Sequence, residues 1–447
     1  MSDLLSIGAS GVRAYQTALT AIGENIANVG TDGYSRRSVT MREVTPAAGL
    51  AANKVSAGSG VMVEGIARAT DVYASAAVRA ATADLSRTQT GATWLTRIEG
   101  AMTGDQVQTR LTAFFTAART LAAEPTSPAL RSTMLETAKS TAIAFTATDS
   151  AFEQINADFD GQARQAAHDL SSLATSLVRV NDGLGRTQPG TAAAAQLADQ
   201  RDQILTQMSA LSDITSTTDQ LGRATVRLGD RAGPVLASTD MVGSVSYQRN
   251  PDRSVGFTVS LQGESHDFIP TGGALAGALD GAERINTTRA AFNQVAKDFV
   301  DTVNALQTGG QDLNGAPGKA MFTLADNSAV MGLNFTEGSM IAAAKGNQGS
   351  RNADILYDLQ TLRGTGNFEG RLTQIVTENA TTLKQRQTVA EAQSAISDGA
   401  KSTLSGASGV TLDSEAVTLM RFQQAYSASS RVIQMARETF QSILEIR

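Results

Sequence analysis

Histidine and cysteine are the side chains that most often do chemistry, and this chain of 447 residues holds two histidines and no cysteine. His168 and His266 lie far apart in the sequence, on a predicted helix and a predicted strand, so no HExxH pair exists and we expect no histidine-based zinc site. The lack of cysteine excludes thiol nucleophiles, disulfides and thiolate-ligated metals. The residues of a Ser–His–Asp triad come together in space, so their spacing in the sequence does not exclude one. The chain has no GxSxG motif, which carries the nucleophile in one large class of such enzymes. We therefore predict no metal, no cofactor and no enzymatic activity.

Glycine-rich and acidic motifs are also incomplete. Gly364 and Gly366 are followed by Gly370, one position too late for a dinucleotide-binding GxGxxG. The run from Asp312 to Gly315 resembles part of a calcium loop without its other ligands, so we predict a turn. Paired carboxylates such as Asp199 and Asp202 are common on helices, and we expect them to be ordinary solvated residues.

Net charge and hydropathy argue against nucleic acids and membranes as partners. Lysine plus arginine is 37 and aspartate plus glutamate is 43, a net charge of −6. Without a long basic run, this balance predicts no nucleic-acid binding. No stretch approaches the ~20 apolar residues that span a bilayer, so we expect no membrane insertion. The N-terminus lacks a basic region followed by an apolar core, and we expect no cleaved secretory signal.

The N-terminal segment, residues 1–33, predicts a heptad helix. None of the eight prolines precedes Pro46 or follows Pro317, so both ends of the chain can hold long helices. Gly30 and Gly33 are expected to stop the first helix. Its apolar residues recur at intervals of three, four or seven, typical of a packing seam. The seam positions are Leu5, Val12, Tyr15, Leu19, Ile22 and Ile26.

The C-terminal segment, residues 406–447, has the strongest helical periodicity. Stepping by three and four from Leu412 gives a second seam, and Asp413 is the expected N-cap. We predict that the terminal helices pair with each other. Two interpretations stay open: the seams form an intramolecular bundle core, or they also pack on neighbouring subunits. The positions assigned to this subunit-packing seam are Leu419, Phe422, Tyr426, Ile433, Phe440 and Ile443.

The middle of the chain changes character twice. Residues 34–72 are expected to be extended and 73–212 helical, with breaks near 100–104, 125–128 and 185–190. Alternating patterns at 224–228 and 255–261 predict strands, so 213–271 is an inserted β-rich module. A helical return segment follows at 272–405, with a loop near 307–352. The predicted fold is mainly α with an inserted β-rich module, and long paired terminal helices complete a discontinuous helical domain.

The segment from Asn25 to Arg36, NIANVGTDGYSR, resembles the NIANVNTPGYSR signature of the axial proteins of the bacterial flagellum. Gly30 and Asp32 depart from the signature, but both are turn formers, as are the residues they replace. The motif residues carried over are Asn25, Ile26, Ala27, Asn28, Gly33, Tyr34, Ser35 and Arg36.

Further blocks narrow the resemblance to the hook-associated branch that forms the hook–filament junction. Residues 197–205 resemble its LLDQRD helix, 271–280 its GGxLxGLLD block, and 408–426 its SGVNLDEEA and RYQQAY blocks. Similar blocks lie at 58–71 and 125–131, and the order is maintained over nearly the whole chain.

This resemblance implies a structural, non-enzymatic subunit located outside the cell at the hook–filament junction. It implies type III export, ring assembly with other copies of the chain, and contacts with hook protein and with a second junction protein next to the filament. A cytoplasmic export chaperone is expected to bind the C-terminal helix before export. The alternatives are another axial protein of the hook or distal rod, or a cytoplasmic helical scaffold.

Overall fold

A computed structural model describes residues 2–44, 60–251, 253–346 and 348–445. Helices dominate these residues, in agreement with the predicted fold class. The helices are α1 (Ser2–Ala27), α2 (Val72–Gly104), α3 (Val107–Ala123), α4 (Pro128–Arg186), α5 (Ala192–Leu211), α6 (Gly273–Thr308), α7 (Asp354–Gly366), α8 (Phe368–Ser408) and α9 (Leu412–Glu445).

The strands are short and antiparallel, and each of the described sheets has two or three strands. β1 pairs with β2, β10 with β11, and β9 with β12, while β3-β4-β5 and β6-β7-β8 form two three-stranded sheets. Their bounds are β1 (Arg37–Glu43), β2 (Val61–Arg68), β3 (Ile214–Thr218), β4 (Ala224–Leu228), β5 (Val235–Ala237), β6 (Ser244–Arg249), β7 (Val255–Leu261), β8 (Glu264–Phe268), β9 (Gly310–Gln311), β10 (Phe322–Leu324), β11 (Met331–Leu333) and β12 (Ala344–Lys345).

Local sequence signals explain the helix boundaries. The Asp71 carboxylate accepts hydrogen bonds from the amides of Tyr73 and Ala74 and so caps α2. Pro128 opens α4, where its missing N–H has no intrahelical partner to lose. At the C-terminal helix the predicted N-cap is wrong: α9 begins at Leu412, and Asp413 lies inside its first turn. With Asp413 as the N-cap the helix would have begun at Ser414, so it begins two residues earlier than the capping pattern indicated.

The glycine motif near Gly364 and the acidic motif near Asp312 are both ordinary parts of the fold. Gly364 and Gly366 belong to the last turn of α7, so they form no phosphate loop. The Asp312 carboxylate accepts hydrogen bonds from the amides of Asn314 and Ala316, the predicted turn.

The main core of the helical body is built from phenylalanine side chains. Phe114, Phe115 and Phe299 are fully buried and meet mostly edge to face, at centroid distances of 5.3 to 6.1 Å. Phe145 extends the same stack toward Phe292 on α6. Such aromatic pairs add about 0.5–1.5 kcal/mol each beyond the area they bury. A few large residues thus hold together a body whose other buried residues are mostly small or aliphatic.

The β-rich module, strands β3 to β8, is fastened along the second half of α4. Buried Asn181 donates from Nδ2 to the carbonyls of Ala224 (2.8 Å) and Ser238 (3.0 Å) and accepts from the amide of Ala224 (2.8 Å). One end of the module is thereby hydrogen-bonded to α4.

Two further contacts lie along the same helix. Ser171 Oγ accepts from the amide of Val245 at 2.8 Å. The Asp160 carboxylate accepts from the Tyr247 hydroxyl and from the guanidinium of Arg249, at 2.5 to 2.9 Å. Positions 160, 171 and 181 are about three turns apart, so they share one face of α4. The module is therefore bound to α4 along about 30 Å.

Candidate assembly interface

The terminal helices α1 and α9 form an antiparallel pair, as predicted. The closest approach is at two glycines of α1. A Cβ atom at Gly8 would lie 2.7 Å from Cγ1 of Ile433, and one at Gly11 would lie 2.6 Å from Oγ of Ser429. Because real Cβ atoms do not make contacts this short, only glycine allows the two backbones to come this close.

The buried seam of α1 differs from the predicted heptad seam. Small residues line it, with Ala14, Ala18 and Ala21 buried beside Ile22. The larger predicted residues lie on its flanks: Leu5, Val12, Tyr15, Leu19 and Ile26 are only half-buried. The periodicity was therefore right, but the face that meets α9 is rotated toward the small residues, because these permit the close approach.

On α9 the predicted seam does face α1, but incompletely. Leu419, Phe422, Tyr426 and Ile433 are half-buried, and the rings of Phe422 and Tyr15 are 6.0 Å apart. Phe440 is 53% exposed. The side chain of Ile443 lies outside the described residues. Much apolar surface of this pair is thus uncovered in the single chain.

Asn25 from the family-like motif joins the helix pair to the rest of the chain. It is 1% exposed and makes four hydrogen bonds. Its Nδ2 donates to the carbonyl of Arg37 (2.8 Å) and to Oε2 of Glu415 (3.0 Å). Its Oδ1 accepts from the Tyr34 hydroxyl (2.8 Å) and the Arg37 amide (2.9 Å). One amide group therefore connects α1, the start of β1 and the first turns of α9.

The other motif residues shape the turn after α1. Gly33 has φ of +76°, where a Cβ atom would also overlap the side chain of Gln203. Ser35 is buried, and Arg36 is exposed while its amide donates to the carbonyl of Ser408 (2.8 Å). The positions left nearer the surface are Ile26, Ala27, Asn28 and Tyr34, of which Ala27 is exposed and the others half-buried. Burial raises the pKa of the Tyr34 phenol.

A cluster of ion pairs surrounds this motif. The sequence analysis did not predict these ion pairs. Arg37 pairs with Glu24 at 2.8 Å. Arg68 on β2 pairs with Asp199 at 2.6 Å and Asp202 at 2.7 Å on α5. Burial opposes the charge on Arg68, but these two carboxylates outweigh it and raise its pKa.

The expectation that Asp199 and Asp202 are solvated is wrong for Asp199, which is buried. Asp202 is also engaged, with Arg68 and with Arg201. Their position in the LLDQRD-like block was the available signal, but carboxylate spacing alone could not reveal a partner more than 100 residues away.

Among the described residues, no group of three or more His, Cys, Asp or Glu side chains could hold a metal ion. His168 and His266 are both exposed on the surface, on α4 and β8. Within the same part of the chain, no helix is both long and apolar enough to cross a membrane.

Comparison with known proteins identifies family models that match the body and the C-terminal segment. Residues 95–322 match the model of the flagellar hook-associated protein FlgK helical domain. Residues 405–446 match the model of the flagellar basal body rod FlgEFG protein C-terminal region. The first match covers more than half of the chain and includes the β-rich module.

Individual proteins give the same result. Flagellar hook-associated protein 1 of Escherichia coli (strain K12) is 22% identical over 550 aligned positions, covering both chains completely. The Bacillus subtilis (strain 168) protein of that name is 23% identical and covers 96% of this chain and 95% of its own. The Salmonella typhimurium protein is 25% identical over 72% of this chain and 60% of its own.

A solved structure shares the fold. The flagellar hook junction protein FlgK from Burkholderia pseudomallei superposes with a TM-score of 0.50 and 21% identity. The superposition covers 56% of this chain and 46% of that one. From the helical-domain match and the full-length relatives, we conclude that this chain belongs to the family of the flagellar hook-associated protein FlgK.

Proposed function

We propose that this chain is a structural subunit of the hook–filament junction of the bacterial flagellum and assembles through its terminal helices. One observation carries this proposal: the two chain ends form a single helix pair that leaves large apolar side chains exposed. Val417, Met435 and Phe440 are each more than half exposed on α9. Large apolar side chains that remain exposed along one helix indicate an interaction surface.

The contacts that connect the parts of the chain support the same role. The β-rich module is hydrogen-bonded along α4, and the motif around Asn25 ties the helix pair to the body. A subunit that joins two larger structures needs a defined angle between its parts, and these contacts supply it. The β-rich module would then stiffen the outer part of the subunit.

The proposed partners are other copies of this chain in a ring, the hook protein on one side and a second junction protein on the filament side. Before export, a cytoplasmic chaperone would cover the apolar surface of α9, which is otherwise an aggregation hazard. We also propose that the protein is not an enzyme, since both histidines are exposed and lie on separate elements.

Deletion of the gene tests the role directly. The expected result is cells that carry hooks without filaments, seen by electron microscopy, with flagellin lost to the medium, measured by blotting. Cells without hooks would instead assign the protein to the rod or hook. Normal filaments would refute the junction role.

Substitution tests the helix pair within that role. Phe440→Asp should block incorporation into flagella, because a charge would be buried in the assembled contact at a cost of several kcal/mol. Ile433→Asp should do the same and should also loosen the contact with Gly8. Gln441→Asp adds the same charge at an exposed neighbouring position and is the matched control. Equal incorporation of Phe440→Asp and Gln441→Asp would contradict assembly through this surface.

A further inference from the structure

A cavity of about 840 Å³ lies where the terminal helix pair meets the body of the protein. It is lined by the turn after α1, the end of β2, the first turns of α2, the second half of α5, and the last turns of α8 with the residues that follow them. This volume is typical of sites that bind a ligand. A ligand in the cavity would contact both the helix pair's turn and the body.

The charges that line this cavity do not balance. Its cations are Arg68, Arg79 and Lys401, and its carboxylates are Asp32 and Asp202. Asp202 is already paired with Arg68 and with Arg201, at 2.7 Å each. Asp32 is exposed on the turn. The cavity therefore has an excess of positive charge.

Arg79 is the cation that lacks a partner. It is half-buried on α2, but it makes no ion pair and no hydrogen bond with any residue that the structure describes. Burial lowers the pKa of its guanidinium; the charge of Asp202 opposes this effect, and the charge of Arg201 adds to it. Taking a cation partly out of water costs free energy that a bound anion would offset.

Other polar groups in the cavity are also unpaired. Lys401 makes no ion pair with the described part of the chain. Four neutral side chains likewise make no hydrogen bond to described residues, and together they offer both donors and acceptors. They are Thr70, Ser75, Gln207 and Ser405. A peptide backbone presents donors and acceptors in turn, so it is the ligand that such a lining suits.

We propose that this cavity binds an acidic peptide segment of a partner protein, with a carboxylate on Arg79 and Lys401 and the backbone on the neutral side chains. A guanidinium can bind a carboxylate through two parallel hydrogen bonds. A small inorganic anion would neutralise the cations but leave the neutral side chains unpaired. The inference goes beyond the proposed function, because it concerns what the cavity binds and not where in the flagellum the chain is located.

Binding of a labelled, end-blocked pentaglutamate peptide to the purified full chain tests this inference. Fluorescence anisotropy at low salt should show binding to the wild type. A pentaglutamine peptide should bind at least about tenfold more weakly, because hydrogen bonds to charged groups are stronger than those to neutral groups. Added sodium chloride should weaken the binding of pentaglutamate, since salt screens the charges.

Substitutions locate the binding in the cavity. Arg79→Gln should weaken the binding of pentaglutamate by about tenfold or more, and Arg79→Lys by less, because lysine keeps the charge without the paired hydrogen bonds. Lys401→Gln should also weaken it, by a smaller factor because Lys401 is exposed. Lys384→Gln is the matched control: it removes the same charge from an exposed position of α8 outside the cavity.

Melting temperatures show whether each variant is folded. If Arg79→Gln does not fold, the comparison of Lys401→Gln with Lys384→Gln decides. No binding of pentaglutamate to the wild type, or equal binding by the cavity variants and Lys384→Gln, would overturn the inference. Displacement of pentaglutamate by inorganic phosphate at an equal concentration would also overturn it, in favour of a site for small anions. None of these results depends on the gene deletion, which tests the junction role separately.

Discussion

Replacing Asn25 with alanine should release the terminal helix pair from the body of the protein. The side chain is 1% exposed and makes four hydrogen bonds to three partners in different segments. In the variant the amide and carbonyl of Arg37 lose their partner, as does the carboxylate of Glu415, which is 5% exposed. The Tyr34 hydroxyl is only half-buried, and water can replace its lost bond.

The magnitude follows from these groups. Each buried polar group left without a partner costs about 1–3 kcal/mol, and more if it is charged. Two backbone groups and one carboxylate therefore weaken the attachment of the helix pair by roughly 3–6 kcal/mol. At the upper end this removes a large share of the 5–15 kcal/mol that is typical for a domain.

Hydrogen exchange of the full chain measures this effect where it occurs. Amides of α1, of α9 and of residues 28–43 should exchange about 10²- to 10⁴-fold faster in Asn25→Ala, at 1.4 kcal/mol per tenfold, while those of α4 and α6 should change little. Asn28→Ala is the control, since its side chain makes only local bonds: it donates to the carbonyl of Glu24 on α1 and accepts from the hydroxyl of Thr31. If both variants accelerate exchange equally, Asn25 is not the connecting residue, and the reasoning is refuted.

Three further changes test other contacts. Gly8→Leu should weaken the terminal pair by about 1–3 kcal/mol, because its side chain would overlap Ile433, and hydrogen exchange in α9 measures this loss. Asn181→Ala should destabilise the β-rich module by about 3 kcal/mol through three lost buried hydrogen bonds, read from the melting temperature. Asp160→Asn should lower the stability at pH 7, and the difference from wild type, measured by urea unfolding, should shrink progressively as the pH falls below about 3.9. Burial raises the pKa of Asp160, but hydrogen bonds from Arg249 and Tyr247 outweigh it and lower the folded pKa. The carboxylate therefore stabilises the fold above the ordinary value of about 3.9, and this contribution is lost as the pH falls through the folded pKa.

Two of these changes have a control in the same element. Gly23→Leu also adds a side chain to α1, but nothing lies within 4 Å of its Cβ position, so it should leave the pair intact. Asp169→Asn also removes a carboxylate from α4, but one whose side chain is 49% exposed, and it should cost much less stability at pH 7. A pH-independent difference between wild type and Asp160→Asn would contradict the ion-pair explanation. An unchanged melting temperature in Asn181→Ala would show that the module does not depend on that contact.

The contacts that orient the β-rich module are spread along α4 instead of being concentrated at one hinge. Asp160, Ser171 and Asn181 each bind a different part of the module, and a change at one leaves two in place. The module should therefore loosen locally in single variants and separate from α4 only in combination.

The sequence by itself determined the elements and the class of protein. Helical periodicity, two-residue alternation and turn formers depend on neighbouring residues, so the strands at 224–228 and 255–261 and the terminal helices could be recognised from local patterns. The run from Asn25 to Arg36 likewise indicated the protein family, because it is a local motif. Only the tertiary structure decided which faces meet. The seam of α1 runs along Gly8 and Gly11 because residues without a Cβ atom let the two backbones come this close. Asp199 and Glu415 became buried because Arg68 and Asn25, distant in sequence, are brought beside them. Whether a residue is buried, and which residue it contacts, depends on the whole fold. Neither can be read from the spacing of residues along one segment.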